Sequence, residues 1–281
     1  MKRALVMIVV LFLCPWGYAQ NGWRIEGEVL RVSDGRIITF NQMIDDAKKA
    51  DFVFVGEVHD VSEHHRAQLS VIRAFHESAV PVAVGLEMFR ADSQGALDSW
   101  IGGGLPLDGF LTAYYDNWRT PWPLYSDIFG YAREHAIPLL GLNVPERIAK
   151  KVAREGFASL TPAERKQLPP GISCNVDPTY KAFIRKAYAG HATRGRGFVS
   201  FCEAQMVWDK SMAWHLMSYV RKEPHRAVVV LAGIGHAWKR GIPGQVGAES
   251  KHTYRVVLPL IPDQIDRDTV TTEDADYVLL E

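Results

Sequence analysis

Phe52-Val53-Phe54-Val55-Gly56-Glu57-Val58-His59-Asp60 is the stretch on which the fold turns. Four apolar residues in succession leave no polar face, so this is a strand buried on both sides, as in a parallel sheet. The run ends at a glycine, and a carboxylate and an imidazole follow at once. Outward along the chain the design recurs. Val82-Ala83-Val84-Gly85-Leu86 leads into Glu87-Met88, and the apolar run 227–231 leads into Gly233-Ile234-Gly235-His236. Residues 138–142 and 254–258 read as further strands. Between them lie helical stretches. Asp60 and Glu63 have the spacing of a capping box and open a helix to about residue 76. Residues 126–135 form another, Pro145 opens a third, Thr161-Pro162-Ala163-Glu164 and Asp177-Pro178 mark two more starts, and 201–222 is a long one. Strands alternating with helices predict an α/β fold with a mainly parallel central sheet covered on both faces. The stretches near 90–135 and 156–198 read as helical insertions that wall a pocket. Ahead of the first buried strand, Ser33-Asp34-Gly35 joins 24–32 to 36–38 as a hairpin.

Ligands of open parallel sheets bind beyond the carboxyl ends of the strands. Three strands here end in Glu57 and His59, in Glu87, and in His236, which predicts one shared polar cluster. Two carboxylates and two imidazoles can bind a divalent metal or serve acid–base chemistry. His64 and His65 lie on the following helix, where solvent exposure is the default reading. In the long helix Gln205, Asp209 and Met212 share a face and are expected to support the pocket. Aromatics crowd 110–125, and the non-periodic segment carrying Trp118 and Trp122 reads as a pocket wall, with Tyr125 just beyond it.

The amino terminus sets the compartment. Lys2 and Arg3, an apolar run over 4–14 and the small-residue exit Gly17-Tyr18-Ala19 form a signal peptide, 1–19, too short to anchor the chain permanently. Leu13 ahead of Cys14 is a poor lipidation signal, so a soluble periplasmic or cell-envelope product is favoured over a lipoprotein. Residues 20–281 then form a single domain with net charge −2, and no basic stripe suits nucleic acid. Cys174 and Cys202 remain, either free or bridged.

Taken together and in order, these segments resemble the ChaN family of bacterial haem-binding proteins, within the wider group of Tiki proteases and erythromycin esterases. The matching pieces are Gly56-Glu57-Val58-His59-Asp60 with His65, Gly85-Leu86-Glu87-Met88-Phe89, and Trp118 with Trp122 and Tyr125. Gln205, Trp208-Asp209 and Met212-Ala213 follow, then Ala232-Gly233-Ile234-Gly235-His236 and Gly241-Ile242-Pro243. The resemblance implies an envelope protein aiding haem or iron acquisition together with outer-membrane uptake machinery. It implies a homodimer with two haems face to face, and iron ligation by a tyrosine with histidine nearby. Tyr125, His59, His65, Trp118 and Trp122 are the candidate haem-binding residues. Two features depart from the family pattern: residues 191–197 lack its His-Cys pair, with Cys202 lying instead within the long helix, and the poor lipidation signal at Cys14 departs from the lipoprotein habit of some relatives. The alternative expectation is a metal-dependent protease or esterase, with His59 and His236 as ligands and Glu57 or Glu87 as ligand or base.

Overall fold

The computed structural model describes residues 27–190, 197–262 and 264–280; the expected signal peptide and most of the 191–197 segment lie outside them. An eight-stranded sheet carries the order β2-β1-β8-β7-β3-β6-β4-β5. The strands are β1 (Glu28–Arg31), β2 (Arg36–Thr39), β3 (Phe52–Glu57), β4 (Val82–Arg90), β5 (Leu139–Asn143), β6 (Ala227–Gly233), β7 (Tyr254–Pro259) and β8 (Tyr277–Leu279). From β8 to β5 every pair is parallel, and the β1–β2 hairpin adds antiparallel to β8. Its turn ends at Gly35, whose φ of 68° is one that side chains disfavour. The sheet is therefore mixed but mostly parallel, as expected, while β8 was not foreseen.

Eleven α-helices of the described residues cover the sheet. They are α1 (Phe40–Ala47), α2 (Ser62–Glu77), α3 (Gln94–Ile101), α4 (Leu107–Asn117), α5 (Ser126–Glu134), α6 (Glu146–Glu155), α7 (Pro162–Arg165), α8 (Pro178–Gly190), α9 (Phe198–Val220), α10 (Ile234–Ala237) and α11 (Ile242–Glu249). The two-residue side-chain period of β3 divides the core between them. Phe52 and Phe54 pack with residues of α6, α8, α9 and α11, whereas Val53 and Val55 pack with residues of α1, α2, α4 and α5. Each such fully buried side chain contributes about 1.5–3 kcal/mol.

The local capping rules hold unevenly. Thr39 and Thr161 form complete capping boxes with Gln42 and Glu164. Asp177 Oδ1 accepts from the backbone N–H groups of Thr179 and Tyr180, fixing the start of α8. The box expected of Asp60 and Glu63 is absent. Val61 is the cap of α2 and makes no side-chain bond, and Glu63 turns instead to Ser62 and Arg66. What holds that turn is His64, whose Nδ1 accepts from Val58 N at 2.9 Å. Cys174 and Cys202 are bridged, tying the loop before α8 to α9.

Candidate functional site

The carboxyl ends of β3, β6 and β4 lie side by side, with β6 between the other two. Glu57 is in register with Gly233, so the three polar segments emerge at one level of one sheet edge. Their carboxylates face opposite ways. Glu57 follows the side-chain alternation of Val53 and Val55, and Glu87 that of Ala83 on the other face. The cluster thus bridges the two helical layers over the sheet edge.

On one side, buried Glu57 receives two hydrogen-bond donors and faces a third polar group. Its Oε1 accepts from His59 Nδ1 at 2.7 Å and from the Tyr125 hydroxyl. Its Oε2 lies 3.1 Å from His65 Nε2, close enough for charge attraction although not aligned as a hydrogen bond. Burial alone pushes this carboxyl up, but His59, His65 and Tyr125 together hold it down at about 2. Tyr125 is pushed far above the ordinary phenol range, by burial first and then by the Glu57 charge. On the other side, Asp209 of α9 holds His236. His236 Nδ1 donates to Asp209 Oδ1 at 2.6 Å, the Tyr180 hydroxyl donates to Asp209 Oδ2, and the Gln205 carboxamide sits 3.2 Å from the same imidazole nitrogen. Burial lowers the His236 basicity, but Glu87 and Asp209 outweigh it and raise this imidazole to about 9.

Glu87 stands between the two halves. Its Oε2 accepts from Gly233 N at 2.6 Å, and its Oε1 lies 3.7 Å from His236 Nε2. The His59 ring leans over Gly233 so closely that a Cβ there would lie 2.8 Å from its Cε1, so any side chain at this position would have to displace the ring. Desolvation lowers His59, yet its bond to Glu57 and the Glu87 charge leave it raised overall. A polar chain therefore runs Tyr125–Glu57–His59, across Glu87, to His236–Asp209–Tyr180.

Glu57, His59, Glu87 and His236 are brought together, with Gln205 and Asp209 in support and Met212 buried behind them. They form two histidine–carboxylate pairs, and among the described residues no group of three or more His, Cys, Asp and Glu is arranged to hold a metal ion. His65 is buried against Glu57 and not solvent-exposed. Tyr125 has no exposed surface and points at Glu57, so it does not face an approaching iron in this conformation. Trp118 lies edge-on to His59 at 4.9 Å between ring centroids. Trp122 packs deeper, on Phe110, Tyr114 and Phe129. Tyr180 was missed. Its one signal was position, since the Asp177-Pro178 start brings it into the first turn of a helix.

The His59 side chain is 42% exposed, and its Nε2 makes no hydrogen bond among the described residues. Trp118 flanks it, and Trp208 stands edge-on to His236 at 6.0 Å.

The family described as haem-binding uptake, Tiki superfamily, ChaN matches residues 43–246. The chain belongs to the ChaN family. A solved structure described as cofacial heme binding to ChaN of Campylobacter jejuni superposes with a TM-score of 0.71 at 22% identity, covering 90% of this chain and 96% of that one. An erythromycin esterase mutant in its open conformation superposes with a TM-score of 0.51 at 14% identity, covering 83% and 76%. These likenesses show that the ChaN fold is shared. A curated Arabidopsis thaliana protein, Reticulata-related 5, chloroplastic, is 22% identical over 234 residues, 76% of this chain. The chain spans only 32% of that relative's length.

Proposed function

We propose that this ChaN-family chain binds haem over the His59 mouth and assists haem or iron uptake in the cell envelope. The observation that carries the reading is His59 itself. In the neutral imidazole the Nδ1 proton is committed to Glu57, which leaves the Nε2 lone pair for a ligand that displaces the second proton. A carboxylate on the far nitrogen makes an imidazole a more basic, better-oriented metal ligand. In this reading the iron ligand is His59, and Tyr125 serves by orienting Glu57. A porphyrin is a wide apolar plate, and Trp118 can shield only part of it. A homodimer with two haems face to face removes the remaining area from water. Export after cleavage of residues 1–19 is supported by the amino-terminal pattern and by the Cys174–Cys202 bridge, which suits an oxidising compartment.

Hemin titration followed by the Soret band tests this. Saturable binding at one haem per chain is expected, weakened and spectrally shifted by His59→Ala and unchanged in band position by Tyr125→Phe. Of the three tyrosines 114, 115 and 125, only Tyr115 is exposed, at 50%. A tyrosinate-type spectrum lost in Tyr115→Phe would move the iron off His59 and overturn the assignment.

The paired histidines favour a second reading, hydrolysis by acid–base chemistry without a divalent metal. His59, held by Glu57, would activate water as the general base. His236, raised to about 9 and so protonated at neutral pH, would stabilise developing negative charge. Ester cleavage that persists in EDTA and is lost in Glu57→Gln supports it; no turnover of ester or peptide substrates removes it.

A further inference from the structure

We propose that a cavity of about 550 Å³ between α9, α11 and the loop before α8 binds a small polar anion carrying two or more carboxylate or phosphate oxygens. The argument starts from which charges around it are already matched. Lys239 is paired with Asp276 at 2.7 Å, and Arg240 with Asp177 at 3.0 Å and Glu273 at 3.5 Å. Lys210 is different. Its ammonium group donates to the Gly171 carbonyl at 2.7 Å and meets no carboxylate among the described residues. A positive charge without a counter-charge therefore stands on the wall of a concave space.

The neighbouring polar groups are also unspent. The Asn175 and Gln245 carboxamides and the Tyr254 hydroxyl line the same cavity and make no side-chain hydrogen bond within the described protein. Arg240 keeps its Nε buried without a partner. Unpaired donors around an uncompensated ammonium suit oxyanions, which accept several charge-assisted hydrogen bonds at once. A cationic solute would have to draw Asp177 and Glu273 away from Arg240, and an apolar one would strand the polar wall. The volume suits a molecule of small-metabolite size.

The cavity is separate from the His59 site but adjoins it. Tyr180 borders the space and directs its hydroxyl the other way, onto Asp209. Two covalent and polar ties fix the loop that forms one wall: the Cys174–Cys202 bridge to α9 and the Asp177 cap on α8.

Calorimetric titration of the oxidised full-length mature protein tests the proposal, with citrate and inorganic phosphate as separate probes. Saturable binding of at least one is expected below about 10 mM, weakened at least about tenfold in Lys210→Glu and also in Gln245→Leu. Lys49→Glu, the same charge change on an exposed site of the other helical layer, should leave it unaltered. Citrate alone would identify a polycarboxylate ligand, and phosphate alone a phosphorylated one. No saturation by either probe overturns the proposal. So does equal weakening in Lys210→Glu and Lys49→Glu, or full binding in Gln245→Leu.

Discussion

Replacing Glu57 with Gln keeps the shape of the side chain and removes its charge, which isolates what that carboxylate does. In the native protein it accepts from His59 and Tyr125 and faces His65, with none of its side chain exposed. A carboxamide offers one acceptor oxygen in place of two, and its NH₂ would confront a donor. At least one buried donor is then left unmatched, which costs about 1–3 kcal/mol. The charge itself matters more. The native carboxyl is held at about 2 against an ordinary 4.5. A difference of that size is worth about 3 kcal/mol. Because the folded-state value is depressed, this stability is fully present above 4.5 and is lost as pH falls towards 2. Glu57→Gln should therefore destabilise the protein by about 3 kcal/mol at pH 7, lowering Tm by roughly 6–12 °C. The gap between the two proteins should shrink steadily below pH 4.5. Urea denaturation of both at pH 7, 5 and 3 measures it. A difference under about 1 kcal/mol at pH 7, or one unchanged at pH 3, would refute the claim that a charged Glu57, held by His59 and Tyr125, anchors the site.

Other perturbations probe separate parts of the structure. His236 is raised from 6.5 to about 9, so its contribution is complete below pH 6.5 and fades as pH rises through 9. Loss of about 3 kcal/mol of stability over that window should be visible by denaturation and smaller in Asp209→Asn, where Glu87 alone still raises the imidazole. Gly233→Ala places a methyl 2.8 Å from His59 Cε1 and should displace the ring. Weaker hemin binding and a destabilisation of about 1–3 kcal/mol are expected by titration and melting. Tyr180→Phe removes a donor from buried Asp209 and should destabilise by about 1–3 kcal/mol while leaving the hemin Soret position unchanged. Reduction of Cys174–Cys202, whose partners are 28 residues apart, should lower stability by about 3–4 kcal/mol in a reducing-buffer melt.

Much of the fold was legible because parallel strands buried on both faces announce themselves as apolar runs, as 52–55 and 227–231 do. Glu57, His59, Glu87 and His236 were legible for a related reason: chemistry at strand ends follows directly from strand assignment. The rest depended on contacts that no local pattern encodes. β8 has only three residues, Tyr277–Leu279, and becomes a strand by sitting between β1 and β7. Asp60 fits the capping pattern, yet the helix begins one turn-defining residue later because His64 takes the Val58 N–H. His65 looks like a surface residue until the charge of Glu57, eight positions earlier, gives it a buried partner. Tyr125 was recognisable as a site residue, but whether its hydroxyl meets a carboxylate or an open mouth depends on how α5 docks against β3.

The most direct test of the account is a crystal structure of the mature protein with hemin. The account predicts iron at bonding distance from His59 Nε2, porphyrin against Trp118, and the Tyr125–Glu57–His59 chain intact beneath it. Hemin seated elsewhere, with His59 still free at its Nε2, would contradict it.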